Sequence, residues 1–127
     1  MKERMMNKRE QGALFETYAL EFLKSQGYTF IARNYFTKYG EIDLIVQKDN
    51  LIVFIEVKQR TTDFFGQGEY AVSYGKRKKI YLSAREYLSK NRCFNCDIRF
   101  DAIIFSGKDK KPCNWIKDMI WGDEFGF

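Results

Sequence analysis

Gly40-Glu41-Ile42-Asp43-Leu44-Ile45-Val46 and Leu51-Ile52-Val53-Phe54-Ile55-Glu56-Val57-Lys58 decide how this chain is read. Both stretches read as strands, and Asp49-Asn50 between them reads as a tight turn. A two-residue turn sets Lys48 against Leu51, so Asp43 falls opposite Glu56 and Glu41 opposite Lys58. Ile42, Leu44, Val46, Leu51, Val53, Ile55 and Val57 then share one aliphatic face. A three-residue turn would flip one strand and bury its carboxylates among those aliphatics, because side chains alternate with period two. Pattern and turn chemistry therefore agree on one register. It gathers two carboxylates and a lysine at one end of a hairpin. One reading is a surface ion-pair patch balanced by Lys58. The other is a functional site, since like charges on neighbouring strands repel unless something cationic compensates them.

The chain around this hairpin has 127 residues, enough for one domain with a real core. Its hydrophobic content of 45% and aromatic content of 17% are those of a globular protein. Residues 1–7 and 122–127 are expected to be poorly ordered. The amino terminus lacks the apolar stretch of a signal peptide and no apolar run approaches membrane-spanning length, so the cytoplasm is the expected compartment. The net charge is +5, and it is local. Residues 75–92 hold Lys76, Arg77, Lys78, Lys79, Arg85, Lys90 and Arg92 against Glu86 alone. A basic patch of this kind suits nucleic acid, and equally describes a solvated helix face.

A helix is expected over about 8–25, with Phe15, Tyr18, Ala19, Phe22 and Leu23 on its apolar stripe and Gly27 at its C′ position. Glu16 sits at the edge of that stripe. It is either an ordinary boundary glutamate or a third carboxylate reaching the hairpin. Tyr28–Tyr35 reads as a strand, and residues 60–72, with Gly66, Gly68, Phe64 and Phe65, as a mobile loop. A second helix runs from a Ser73 N-cap to Lys90, burying Ile80, Ala84, Tyr87 and Leu88. Its Lys76–Lys79 run opposes the helix dipole, while the free N–H groups of its first turn attract phosphate. Residues 97–105 alternate as a strand, with Ile98, Phe100, Ala102 and Ile104 on one face and Arg99 and Asp101 on the other. The Asn114–Trp121 tail is either a last strand or a short helix. The expected class is α/β, in the order α-β-β-β-α-β plus that uncertain element. The long connection holding the second helix permits a parallel crossover and a mixed central sheet flanked by helices.

Cys93-Phe94-Asn95-Cys96 has the spacing of zinc and redox sites, and Cys113 is the third cysteine. A structural zinc takes four ligands, and this chain has no histidine. Incidental reduced thiols are the main reading, with a zinc site and a redox dithiol beside it. The lack of histidine also excludes Ser-His-Asp and Cys-His catalysis within the chain. Carboxylates and a lysine support a different chemistry. Asp43 and Glu56 could hold one Mg²⁺ or Mn²⁺, with the Val57 backbone carbonyl and Glu16 as further ligands. Lys58, two residues from Glu56, could orient or deprotonate an attacking water. The constellation suits metal-assisted phosphodiester hydrolysis.

Asp43 followed by Glu56-Val57-Lys58, on this element order, resembles the PD-(D/E)XK nuclease superfamily and its restriction-endonuclease-like fold. A closer resemblance is to the YraN-like family of uncharacterised bacterial proteins. It rests on Gly12, Glu16, Ala19, Gly27-Tyr28, Arg33-Asn34, Gly40 to Ile45, Val53 to Arg60, Ala71-Val72, Lys79-Ile80 and Arg99-Phe100-Asp101. That family is in turn similar to archaeal Holliday junction resolvases, which are dimeric, Mg²⁺-dependent endonucleases. The resemblance implies Glu16, Asp43 and Glu56 as metal-site carboxylates and Lys58 as the catalytic lysine. Gln59 and Arg60 would flank the site near phosphate, and Lys76, Arg77, Lys78 and Lys79 would meet nucleic acid. The implied activity is a DNA endonuclease, with branched DNA as substrate and a homodimer as assembly. The alternative is a nuclease-fold module that binds nucleic acid or a protein without cutting. Two positions depart from the pattern. Ile42 stands where the superfamily's name has proline. Phe15 stands where the family often has glycine before the helix glutamate, and its bulk is expected to alter how close a DNA backbone comes to the first helix.

Overall fold

The computed structural model describes residues 5–60, 72–120 and 125. Its elements are α1 (Lys8–Ser25), β1 (Thr29–Thr37), β2 (Gly40–Lys48), β3 (Leu51–Arg60), α2 (Tyr74–Lys90), β4 (Asp97–Ser106) and β5 (Asn114–Ile116). The expected disorder at 1–4 and at most of 122–127, and the expected loop at 61–71 with its two phenylalanines, lie outside the described residues. Asn7 is described, and it closes a capping box with Glu10 at the start of α1. No helix among the described residues is long and apolar enough to cross a membrane.

The strands form one five-stranded mixed sheet in the order β1-β2-β3-β4-β5. The three strands β1, β2 and β3 form an antiparallel meander, β4 runs parallel to β3, and β5 returns antiparallel to β4. The α2 crossover makes the parallel step possible, since two parallel strands cannot be joined by a short turn. The tail thus resolves as a strand, held by Ala102–Ile116 and Ile104–Asn114 pairs.

Helices cover both faces of the sheet. Phe15, Ala19 and Leu23 of α1 pack on Leu44, Val46, Val53, Ile55, Ile103 and Phe105. Ile80, Tyr81, Ala84 and Tyr87 of α2 pack on Ile42, Ile45, Ile52, Phe54 and Phe100. Successive residues of β3 therefore alternate between the helices, and the apolar run from Ile52 to Ile55 is buried throughout. Phe15 is part of this core, edge-on to Phe105, so it does not stand between α1 and a ligand as its bulk suggested.

Asp101 holds the far side of the sheet. It is fully buried on β4. It accepts from Arg99 Nε at 2.9 Å, Trp115 Nε1 at 2.9 Å and the Asp118 backbone N–H at 3.0 Å. Arg99 reaches on to the Tyr28 hydroxyl at 2.9 Å. The Arg99–Asp101 pair is thus a structural tie joining β4 to the start of β1 and to β5. The cysteines do not converge. Cys96 precedes β4, whereas the Cys113 N–H donates to the Ile104 carbonyl at 2.8 Å. Seven strand residues at about 3.3 Å each separate those ends by roughly 23 Å, so a site using all three thiols is excluded.

Candidate metal centre

The β2–β3 hairpin has the register that its pattern demands. Lys48 pairs with Leu51, and the pairing continues through Val46–Val53 to Leu44–Ile55. Asp49 takes the positive φ of 54° that closes the turn. One step further, Asp43 and Glu56 come level, and there the regular ladder stops. Continued regularly, it would send the Val57 N–H to the Ile42 carbonyl. Instead that N–H donates to Asp43 Oδ2 at 2.8 Å. The alternation of β2 resets at the same place. Ile42 belongs to the cluster under α2, not with Leu44 and Val46 under α1 as strict alternation expected.

The neighbouring strand shares the irregularity. Pairs of β1 with β2 step from Arg33–Leu44 to Tyr35–Ile42, leaving Asn34 and Asp43 between them. Asn34 has φ of 52°, a left-handed conformation that asparagine tolerates better than most residues. Its side-chain amide then reaches Glu41 Oε1 at 2.6 Å and Glu16 Oε1 at 3.0 Å. Arg33 Nε adds an ion pair to Glu16 at 3.5 Å.

The result is a compact set of carboxylates. One oxygen each from Glu16, Glu41 and Asp43 can be chosen so that all lie within 4.8 Å of one another. Glu56 adjoins Asp43, and Lys76 Nζ of α2 lies 3.4 Å from Glu56 Oε1. Glu56 Oε2 is buried with no hydrogen-bond partner. A proton shared with Asp43 is the one alternative the pair itself offers. Burial, then the charge of Glu56, pushes Asp43 up to about 8, against the opposing pull of the Val57 N–H. Burial likewise raises Glu56, against the ammonium of Lys76. Burial raises Glu16 too, against Asn34 and Arg33. Burial lowers Lys58, with Arg60 adding to the effect and Glu56 opposing it. Each shift has the sign that burial imposes on a charged group.

The predicted site residues separate into groups. Glu16, Asp43 and Glu56 are brought together. So is the Val57 backbone: its N–H points at Asp43, and the carbonyl of a strand residue points to the same side as its N–H. Lys58 follows on β3, half-buried. Gln59 is half-buried at the end of β3, and its Nε2 donates to the Gly107 carbonyl at 2.7 Å. Arg60 is half-buried at the end of β3. Of the four α2 cations expected to meet nucleic acid, Lys78 and Lys79 are exposed. Lys76 is turned to Glu56, and Arg77 bonds the Val72 carbonyl beside the Tyr74 ring. Glu41 was expected opposite Lys58. It sits instead with Glu16 and Asp43, because β2–β3 pairing ends before reaching it and the β1 register takes over.

Sequence reasoning missed Glu41 as a member of the carboxylate set and Asn34 as its anchor. The signal lies in the β1–β2 turn. Thr37 pairs with Gly40, so Lys38-Tyr39 is a two-residue turn that sets Asn34 level with Asp43. Lys-Tyr carries none of the residues that mark such a turn.

The clustered oxygens of Glu16, Glu41 and Asp43, with the unpartnered buried oxygen of Glu56 beside Asp43, are donors of the kind a hard divalent cation takes. The donors come from α1, β2 and β3, so tertiary packing and not one local motif assembles them.

Comparison with known proteins agrees on the family. The model of the "Uncharacterised protein family UPF0102" matches residues 15–105, which span the carboxylate set, the Val57 backbone and Lys58. A UPF0102 protein of Fusobacterium nucleatum is 42% identical over 122 residues, covering 96% of this chain and 100% of the relative. One from Vibrio parahaemolyticus is 44% identical over 119 residues, covering 91% and 96%. One from a Sulfurihydrogenibium species is 42% identical over 102 residues, covering 80% and 89%. With the carboxylates, β1 to β3, α2 and most of α1 and β4 inside the matched region, the chain belongs to the uncharacterised family UPF0102.

Proposed function

We propose that this chain is a metal-dependent endonuclease that hydrolyses DNA phosphodiesters, with the restriction-endonuclease-like arrangement that its element order resembles. The observation that carries the reading is the Asp43–Glu56 pair, half-buried at Asp43 and buried at Glu56. Asp43 is pushed up to about 8 and Glu56 Oε2 has no donor, so the pair is short of positive charge. Asp43, Glu56, Glu16 and the Val57 carbonyl would hold Mg²⁺ or Mn²⁺, and Glu41 joins them as a candidate. When bound, the cation would make a water more acidic and draw charge from the phosphate. Lys58, held below its ordinary pKa by burial, is suited to take a proton from the attacking water at Nζ. Lys78 and Lys79 extend outward to meet the phosphate backbone. Similarity to junction resolvases favours branched DNA as substrate and a homodimer as the working assembly.

A second reading has a specific observation behind it. Lys76 already lies 3.4 Å from Glu56 and supplies part of the missing charge. A domain that binds nucleic acid without cutting would keep that ion pair permanently. Plasmid, linear, flapped and four-way-junction DNA, incubated with Mg²⁺, Mn²⁺ or EDTA, decide between them. Cutting that needs metal and is abolished by Asp43→Asn and by Lys58→Ala establishes the enzyme. Salt-sensitive binding with no cutting under any metal establishes the binding module.

A further inference from the structure

Beside the carboxylates lies a cleft of about 330 Å³ that the proposed hydrolysis does not use. Its walls are Lys8, Arg9 and Gly12 of α1, and Phe36 of β1, with Glu16 and Glu41 at its inner end. Three features of these walls point to a ligand. Phe36 is a large aromatic that is 72% exposed, in a cleft otherwise lined by charged and polar side chains and by the small Gly12 and Ala13. Lys8 and Arg9 are exposed and have no acidic partner among the described residues. Gly12 occupies the exposed side of a helix where a Cβ would meet nothing within 4 Å. A glycine there weakens the helix and serves no packing contact, while it keeps the cleft open.

We infer that this cleft takes one unpaired nucleotide of the substrate, its base stacked on Phe36 and its phosphate held by Lys8 and Arg9. The volume is at the small end of ligand pockets, which run about 300–1,000 Å³, and suits a single nucleotide. A base inside a duplex has both faces covered by its neighbours. Only an unpaired or extruded base can offer a face to Phe36. Stacking is indifferent to base identity, so the cleft selects structure and not sequence. The inference rests on the nuclease reading for its substrate class, and it deepens that reading: substrates carry an unpaired nucleotide next to the phosphate that the carboxylates address.

The test is a binding titration in EDTA, where nothing can be cut. The probes are a short single-stranded DNA, the blunt duplex of the same sequence, and that duplex with a single-stranded overhang. Wild type is expected to prefer the single strand and the overhang. Phe36→Ala should weaken those two by roughly 5- to 150-fold, the value of one lost base stack, and leave the blunt duplex unchanged. Gly12→Leu, which fills the cleft, should act in the same direction. Phe36 is exposed, so an unchanged melting temperature is expected and confirms that the variant folds. Equal binding of overhang and blunt duplex by wild type overturns the inference, as does a preference that survives Phe36→Ala. The two readings fail separately. An overhang preference with no cutting in Mn²⁺ sinks hydrolysis alone, and metal-dependent cutting with no Phe36 effect sinks the cleft alone.

Discussion

Asp43 accepts a backbone N–H and repels Glu56 at the same time, and its titration should report that conflict. Its folded-state pKa, about 8, lies far above the ordinary carboxylate value. Between those two values the folded state holds a proton that the unfolded chain releases. Stability is therefore fully present below the unfolded pKa and falls as pH rises toward 8, by on the order of 1 kcal/mol per pH unit for one such group. Thermal melts in EDTA from pH 5 to 9 should show that decline, and Asp43→Asn should flatten it. Mn²⁺ should restore stability at the alkaline end, since a ligand bound only by the folded state stabilises it. Lys76 competes for the same charge. Calorimetric titration of Lys76→Gln should give tighter Mn²⁺ binding than wild type, because the ammonium 3.4 Å from Glu56 is gone. Weaker binding by that variant would show that Lys76 supports the site and does not compete for it.

Among the elements, the helices illustrate what the sequence does and does not specify. The end of α1 is fully local. Gly27 N–H returns to the Lys24 carbonyl and Tyr28 N–H to the Leu23 carbonyl, a Schellman closure around a glycine with φ of 94°. Gly27→Ala should cost about 1–2 kcal/mol in chemical denaturation, the price of a left-handed residue with a Cβ. Gly12→Ala should do the opposite, stabilising α1 by up to about 1 kcal/mol. Such local rules made α1, the Ser73 cap of α2 and the Asp49-Asn50 hairpin legible before any coordinates. The irregular step at Asp43 was not legible. It arises because Asn34 on β1 adopts a positive φ, and the pairing of β1 with β2 depends on a Lys-Tyr turn without a marker residue. Glu41 joins the carboxylate set for the same reason: it belongs to the β1 register, not to the β3 register. The second helix carries no acid in its first turn, only cations.

At the scale of the whole molecule, the carboxylate cluster and the Asp101 tie divide the labour. Asp101 is buried and accepts from Arg99, Trp115 and the Asp118 backbone. Asp101→Ala leaves the Arg99 charge without its partner, and a broken buried pair costs about 3–5 kcal/mol. A large loss of melting temperature and a red shift of tryptophan emission, as Trp115 loses its acceptor, would check this. Both faces of the sheet are covered, so the class was readable from the long apolar run of β3 and the helix between β3 and β4. The Asp101 tie was only half-readable: Arg99 and Asp101 sit two apart on one strand, as expected, but their burial follows from Tyr28 and Trp115, which only the fold brings near.

The parallel pairing of β3 with β4 sets an order of events during synthesis. Residue 51 meets residue 97 and residue 60 meets residue 106, so β3 waits on the ribosome for a partner that has not yet been made. At about 5–20 residues per second the wait is roughly 2–10 s. All the candidate metal-site carboxylates are translated before that wait begins, and Lys76 is added during it. A nascent chain can therefore assemble its ligand set on an unfinished sheet, with the apolar edge of β3 uncovered. A divalent cation captured at that stage would tie α1 to the meander before α2 and β4 arrive to bury it.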